Sequence, residues 1–189
     1  MVKTFLKKYG YYVLAFSLIL IVGVTAGLMS TGESYVPPVK EDSTPTTSTP
    51  VEMVCPMESP EVLKWYSDTE LFYNSTLKQW EIHKAFELAS SSSKDFKAAL
   101  NGVVTDCSYS YENGYCITIT HDDGLATVYC SLANTDSVKK GDTVARGQKI
   151  GEVSNSASNE SEMGNHLHFQ VQLNGKNVDP ANYLTLDNK

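Results

Sequence analysis

The chain has 189 residues with 22 acidic and 15 basic side chains, and its formal net charge is −7. Three of the lysines lie within the first ten residues, and no basic stripe follows them. This pattern argues against a nucleic-acid partner, because contact with a phosphate backbone needs clustered cationic side chains. Four cysteines are too few for a disulfide scaffold in a chain of this length.

Residues 11–29 form an uncharged, mostly apolar run, and the basic residues 1–10 precede it. The run is close to the ~20 residues that a helix needs to cross a bilayer. The charge asymmetry predicts a cytoplasmic segment at 1–10 and a single transmembrane helix at 11–29, with the rest of the chain outside. A cleaved signal peptide is the alternative, with small residues at 24–26, although the apolar run continues through Leu28 and Met29.

Residues 30–58 are predicted to be a linker that holds a folded domain away from the membrane. Within it, residues 43–50 contain only Ser, Thr and Pro, which cannot bury a core, so we expect them to be extended and disordered. A short helical segment is predicted at 59–79, because Ser59 fits an N-cap and Pro60 fits the first helical position.

Beyond residue 98 the pattern changes to short β runs separated by turn residues. The runs are residues 102–107, 115–121, 125–132, 143–144, 150–153 and the segment around 166–173. This spacing predicts a mainly β domain, either an antiparallel sheet or a small barrel-like sandwich. His121 is expected to end one of these strands at the surface.

His166 and His168 are separated by one residue at the start of the last long run. Because side chains alternate faces along a strand, the two imidazoles should point to the same side, roughly 6–7 Å apart. Such a pair suits one metal ion with a proton-transfer group beside it.

Cys107 and Cys116 flank a turn that contains Asn113 and Gly114. They are the favoured disulfide pair if this part of the chain lies outside the cytoplasm. The alternative is that they are reduced, buried and packed as small apolar side chains.

Several motifs together resemble the LytM/lysostaphin-type zinc endopeptidase domain. They are residues 129–132 (Tyr-Cys-Ser-Leu), 138–142 (Val-Lys-Lys-Gly-Asp), 147–151 (Gly-Gln-Lys-Ile-Gly), 164–169 (Gly-Asn-His-Leu-His-Phe) and 179–180 (Asp-Pro). Their order and spacing match that family over residues 80–184, which leaves 185–189 as a tail. The resemblance implies an antiparallel LytM-type β-sheet domain.

The resemblance also implies a set of site residues. His83 and Glu87 take the place of the family's His-x-x-x-Asp zinc ligands, and His168 takes the place of the third ligand. His166 takes a proton-transfer position. Three protein ligands with an open fourth position suit a catalytic zinc. The alternative is that His83 and Glu87 are an i,i+4 pair on the solvated face of a helix over residues 80–88.

Position 131 departs from the family pattern. A second catalytic His should stand there in a Tyr-x-His-Leu motif, but this chain has Ser131. A serine hydroxyl is too weak a base for proton transfer, and such a group is worth roughly 10²–10⁴ in rate. The substitution, together with Glu in place of Asp, predicts little or no peptidase activity.

One branch of this family, the stage II sporulation protein Q family of endospore-forming bacteria, is similar in its whole layout and has Tyr-x-Ser-Leu at this place. That resemblance implies a single-pass forespore membrane protein whose domain binds a stage III sporulation protein AH-like partner of the mother cell, within a channel or zipper complex. A homo-oligomeric ring is a further expectation. Two other functions stay open: a zinc endopeptidase that cuts peptidoglycan cross-links, and a module that binds peptidoglycan without cutting it.

Overall fold

A computed structural model describes residues 51–186 of the chain. It contains twelve strands and two short 3₁₀ helices over that range. The strands are β1 (Glu61–Lys64), β2 (Ser67–Asn74), β3 (Gln79–His83), β4 (Phe86–Ala89), β5 (Asp95–Lys97), β6 (Gly102–Ser110), β7 (Gly114–Thr120), β8 (Leu125–Leu132), β9 (Thr143–Val144), β10 (Lys149–Glu152), β11 (Leu167–Leu173) and β12 (Lys176–Val178). The 3₁₀ helices are Ser158–Met163 and Pro180–Asn182.

The strands form one large sheet and two small ones. The large sheet has eight strands in the order β1-β4-β11-β8-β7-β6-β9, and β12 pairs with β11. The small sheets are β10 with β5 and the hairpin of β2 with β3. The paired strands run antiparallel. The prediction of a mainly β, antiparallel fold is therefore confirmed.

The central strand β11 shows why one face of the large sheet carries the core and the other carries polar groups. Its residues Leu167, Phe169 and Val171 are fully buried, whereas the intervening His168 and Gln170 are partly buried. The alternation follows from the two-residue period of a strand. The polar face of β11 is thereby left free for chemistry.

Aromatic side chains fill the core between this sheet and the β5–β10 pair. The ring of Phe96 lies 5.5 Å from that of Tyr129, which lies 5.3 Å from the ring of Phe169. Gly151 lets β10 approach closely, because a Cβ at this position would lie 2.6 Å from the Phe96 ring. Rings at such distances bury large apolar areas and hold the sheet against its covering layer.

The predicted helical segment at 59–79 is wrong, because strands β1 and β2 occupy it. Strand β1 pairs with β4, and β2 forms a hairpin with β3. Ser59 has a φ of 44° rather than an N-cap conformation. Strand pairing with distant residues thus outweighs the local capping signal.

The predicted linker extended to residue 58, but residues 51–58 pack against the domain. Met53 and Met57 belong to the hydrophobic core and are only 3% and 2% exposed. Their flexible, apolar side chains can fill gaps in a core.

The favoured disulfide pair is also wrong. A disulfide joins Cys116 to Cys130, and Cys107 is free. Cys116 of β7 lies beside β8, so that its Cα is 4.2 Å from that of Cys130. Cys107 of β6 is registered with Ile117 instead. The partner of Cys116 is therefore set by the neighbouring strand β8 and not by closeness in sequence around the turn.

The predicted transmembrane helix at 11–29 and most of the linker lie outside the described residues. Between residues 51 and 186, none of the helices has the length and apolar character needed to cross a bilayer.

Candidate metal centre

Three strands bring His83, Glu87 and His168 together. His83 ends β3, Glu87 lies in β4, and His168 lies in β11 directly opposite Glu87. The alternative of a helical i,i+4 pair is therefore wrong, since both residues lie in strands. The register of β4 with β11 places the carboxylate of Glu87 on the polar face that also carries His168.

The three side chains point their ligand atoms at a common space. Glu87 Oε1 lies 3.0 Å from His83 Nε2 and 2.6 Å from His168 Nδ1. The three ligand atoms lie within 4.8 Å of one another. His83 is 5% exposed and Glu87 is fully buried, so the group is largely sheltered from water.

The bonding of this cluster fits a zinc ion. His83 Nε2 and Glu87 Oε2 are buried and have no hydrogen-bond partner, despite the short approach of His83 to Glu87. A buried polar atom left unsatisfied costs about 1–3 kcal/mol, and a cation between the ligands would remove that cost. Two imidazole nitrogens and one carboxylate are a typical zinc ligand set.

His166 lies just before β11 and is fully buried beside the cluster. Its Nδ1 lies 2.8 Å from the carbonyl oxygen of Gly164, which accepts the Nδ1 proton. Its Nε2 therefore faces the carboxylates of Glu87, at 3.5 Å, and Glu160, at 3.3 Å. Burial lowers the pKa of His166, but the hydrogen bond to Glu160 and the charge of Glu87 outweigh it and raise the pKa.

Glu160 is a site residue that the sequence analysis missed. It lies in the 3₁₀ helix Ser158–Met163, with Oε1 3.2 Å from His168 Nδ1. Together with Glu87 and His166 it forms a second group of potential ligands within 4.8 Å. Burial raises the pKa of Glu160, but hydrogen bonds from His166 and His168 outweigh it and hold the pKa well below its usual range.

A comparison with known protein families identifies the family of the domain. The sequence profile of peptidase family M23 matches residues 81–180, which is more than half of the 189 residues. The chain belongs to peptidase family M23.

Among curated proteins, this M23 chain is similar to stage II sporulation protein Q of Bacillus subtilis (strain 168), with 36% identity over 114 residues. That alignment covers 59% of this chain and 38% of the relative. DD-carboxypeptidase/endopeptidase Mpg of Neisseria meningitidis is 27% identical over 56% of this chain and 23% of the relative. The chain thus corresponds to less than half the length of either protein, and the predicted resemblance to stage II sporulation protein Q is confirmed.

Two solved structures are similar over most of the M23 chain. A structure of the SpoIIQ–SpoIIIAH pore-forming complex aligns with a TM-score of 0.61 and 29% identity, over 72% of this chain and 92% of that one. A zinc-containing peptidase from Vibrio cholerae aligns with a TM-score of 0.57 at 23% identity, over 66% of this chain and 37% of that one. The second likeness concerns the fold alone.

Within the M23 domain, Ser131 takes no part in the cluster. Its side chain is fully buried, and its hydroxyl donates a hydrogen bond of 3.0 Å to the carbonyl oxygen of Ser154. Its backbone N–H donates to the carbonyl oxygen of Asn113 at 3.0 Å. The residue therefore joins β8 to the segment around residue 154 and offers no proton-transfer group.

His121 is also separate from the cluster, and the expectation that it lies at the surface is wrong. It is buried, with Nδ1 2.8 Å from the carbonyl oxygen of Asn101 and Nε2 2.8 Å from the hydroxyl of Thr127. Both ring nitrogens are thereby satisfied by neighbours within the fold.

Proposed function

We propose that this chain is a single-pass forespore membrane protein whose M23 domain binds the extracytoplasmic domain of a SpoIIIAH-type partner in the mother-cell membrane. The observation that carries the proposal is the similarity to two SpoIIQ–SpoIIIAH complex structures, which extends over 92% and 99% of the aligned chains. The predicted span at 11–29 and the linker after it supply the membrane attachment. The resulting complex forms a channel or zipper between two membranes, and a homo-oligomeric ring is part of the same proposal.

In this proposal the metal centre supports the fold and does not hydrolyse peptides. His83, Glu87 and His168 would hold zinc, which when bound polarises a carbonyl group and activates water. Peptide hydrolysis also needs groups that move protons, and Ser131 is committed to a backbone hydrogen bond. His166 alone remains next to the cluster, with its Nε2 directed at two carboxylates.

Two exposed surfaces are suited to a protein partner. The β2–β3 hairpin carries an apolar face in which Leu71 is registered with Ile82 and Tyr73 with Trp80. These side chains are between 46% and 66% exposed. Exposed apolar patches of this kind mark interaction sites, and both outer edges of a two-stranded hairpin can accept another strand.

The second surface lies at the tip of the β6–β7 hairpin. Tyr109 and Tyr115 face each other there with their ring centroids 4.7 Å apart, and Tyr111 is 77% exposed. Tyrosine is enriched at interfaces because its ring buries a large area while its hydroxyl stays hydrogen-bonded.

The proposal is tested by measuring the binding of the full-length chain, in detergent, to the soluble domain of a SpoIIIAH-type protein. We expect a stable complex. Trp80→Ser should weaken it if the partner contacts the β2–β3 hairpin, and Tyr111→Ser should weaken it if the partner contacts the tip of the β6–β7 hairpin. Lys139→Ser, an exposed change outside both surfaces, is the matched control. Absence of binding by the wild-type chain would contradict the proposal.

A zinc endopeptidase of peptidoglycan cross-links is the second candidate. It is favoured by the ligand cluster and by membership of family M23. Incubation of the same protein with purified peptidoglycan shows whether the domain cuts the wall, only binds it, or does neither. Release of peptide fragments that His166→Ala abolishes would support the peptidase, whereas sedimentation of intact chain with undigested wall would support simple wall binding.

A further inference from the structure

The two ring nitrogens of His168 face different parts of the candidate metal centre. Its Nδ1 lies 2.6 Å from Glu87 Oε1 and 3.2 Å from Glu160 Oε1, so this nitrogen faces the other potential ligands. Its Nε2 lies 2.9 Å from the side-chain amide of Gln170. An imidazole binds a metal ion through one nitrogen, and the hydrogen bond made by the other nitrogen determines where the ring proton resides.

Strand β11 brings Gln170 to this place. His168 and Gln170 are two residues apart in the strand, so their side chains point to the same face, about 6.5–7 Å apart along the backbone. Both residues are paired with β8, where His168 is opposite Cys130 and Gln170 is opposite Val128. Because the side chain of His168 is only 14% exposed, Gln170 is the partner that the fold supplies for Nε2.

The amide of Gln170 can serve either tautomer of the imidazole. Its nitrogen only donates and its oxygen only accepts, and a half-turn about the last side-chain bond exchanges the two. With the amide nitrogen at 2.9 Å from Nε2, a neutral His168 ring accepts that bond and carries its proton on Nδ1, towards Glu87.

Metal binding requires the other tautomer. A metal ion needs the lone pair of His168 Nδ1, which places the ring proton on Nε2. Only the oxygen of the Gln170 amide can then accept the hydrogen bond from Nε2. The same orientation of the amide serves a charged ring, which has a proton on each nitrogen.

We propose that Gln170 is a positioning residue of the metal centre, whose side-chain oxygen accepts the Nε2 proton of His168 and so leaves the lone pair of Nδ1 to the ion. Gln170 acts through His168 and is not itself a ligand. The inference rests on the metal centre named under the proposed function and is independent of any partner protein.

Gln172 offers a matched control on the same strand. It is the same residue type, it points to the same face two residues further on, and it is partly buried like Gln170. Its amide donates to Asn177 Oδ1 at 3.1 Å. Gln172 therefore shares the strand, the face and the burial of Gln170 but is bonded to a residue outside the metal cluster.

The experiment measures the zinc affinity of the full-length chain, in detergent, by competition with a chelator. Gln170→Leu removes the acceptor at similar size and should weaken zinc binding ~10-fold or more, as the loss of a partner of a metal-binding histidine does. Gln172→Leu should keep the wild-type affinity. Gln170→Glu retains an acceptor and should bind zinc at least as tightly as the wild type. Gln172→Glu adds the same charge to the same face and shows how much of any gain comes from charge alone.

Urea unfolding in the presence of the chelator separates positioning from packing. Gln170→Leu and Gln172→Leu each lose one side-chain hydrogen bond, so their metal-free forms should have similar free energies of unfolding. Only Gln170→Leu should also lose zinc affinity. A residue with a merely structural role would change the first quantity and not the second.

Wild-type zinc affinity in Gln170→Leu would overturn the assignment, and so would an equal loss of affinity in Gln172→Leu. A Gln170→Glu chain that binds zinc as weakly as Gln170→Leu would overturn it as well, because a carboxylate also accepts the bond from Nε2. A wild-type chain that takes up no zinc would remove the centre and this inference together. Binding of the SpoIIIAH-type domain, measured on the same samples, tests the proposed function separately.

Discussion

Two buried histidine clusters of this domain differ in whether their polar atoms are satisfied. The cluster of His83, Glu87 and His168 contains two buried atoms without a hydrogen-bond partner and faces an additional buried carboxylate. The cluster around His121 has a partner for each ring nitrogen. A buried histidine whose two ring nitrogens are both hydrogen-bonded has a structural role, whereas one with an unpaired ring nitrogen is available to bind a ligand.

The His121 cluster is a continuous chain of hydrogen bonds. The N–H of Ala99 donates to the Tyr129 hydroxyl at 2.9 Å, and the hydroxyls of Tyr129 and Thr127 lie 3.0 Å apart. The Thr127 hydroxyl donates to that of Tyr129 and lies 2.8 Å from His121 Nε2, while His121 Nδ1 lies 2.8 Å from the carbonyl oxygen of Asn101. Each ring nitrogen thus has a partner within the fold, and burial lowers the pKa of His121, although the bond to the Asn101 backbone offsets part of this.

The largest expected effect concerns the unsatisfied cluster. Zinc at ~1,000 times its dissociation constant should raise the free energy of unfolding of the wild-type chain by about 4 kcal/mol, because the folded state alone binds the ion. His83→Ala should lose most of this gain. Urea unfolding followed by tryptophan fluorescence, with zinc and with a chelator, measures both. An equal gain in His83→Ala would show that zinc acts elsewhere on the chain.

A change in the His121 cluster should lower the stability of the chain without affecting its affinity for zinc. Thr127→Val keeps the shape of the side chain but removes the hydroxyl between Tyr129 and His121. The loss leaves buried groups unpaired and should cost about 1–3 kcal/mol of stability. Zinc affinity in a chelator competition should stay at the wild-type value, and a drop in that affinity would mean that the two clusters are coupled.

The contrast also separates what the sequence predicts from what it does not. His166 and His168 were predicted because strand alternation is a local rule, and β11 with the residue just before it places both beside Glu87. Glu160 was missed because it lies in a 3₁₀ helix with no regular spacing to the histidines. Its position depends on hydrogen bonds to a hairpin more than eighty residues earlier in the chain.

The errors in the predicted fold also arise from contacts between residues that are distant in the sequence. The helical prediction for residues 59–79 rested on local capping signals, and the predicted disulfide rested on closeness around a turn. In the structure, pairing of β1 with β4 and of β7 with β8 decides both regions. His121 was expected at the surface because its strand ends there, but Asn101 and Thr127 enclose its ring.

A pH titration should distinguish the clusters with a smaller effect. Burial lowers the pKa of His121 in the folded chain, and the backbone bond to Asn101 offsets only part of this. The unfolded chain therefore binds a proton more readily, so stability should fall as the pH drops below the unfolded pKa of ~6.5. One such group contributes at most about 1.4 kcal/mol per pH unit.

The contribution of His121 is the difference in the free energy of unfolding between the wild-type chain and His121→Gln. Urea unfolding at several pH values from 7.5 to 5.5 measures it. We expect the variant to be less stable at neutral pH and to lose less stability on acidification. An identical pH dependence in the two proteins would mean that the pKa of His121 is the same in the folded and the unfolded chain.

The smallest expected effect concerns Ser131. It tests whether this residue belongs with the candidate metal ligands or, like His121, with the groups that are fully hydrogen-bonded inside the fold. Ser131 is buried and bonded to Ser154 across two backbone segments, so it resembles His121 rather than the metal ligands. Ser131→Ala should cost about 1 kcal/mol through the lost hydrogen bond and should leave zinc affinity unchanged. Ser154→Ala is a suitable control for zinc affinity, since it keeps the backbone carbonyl that accepts this bond and removes only the separate hydrogen bond of 3.3 Å from the Ser154 hydroxyl to the carbonyl oxygen of Ser131. Weaker zinc binding in Ser131→Ala but not in Ser154→Ala would place position 131 in the metal centre, and would count against the proposal that the domain is a non-catalytic module.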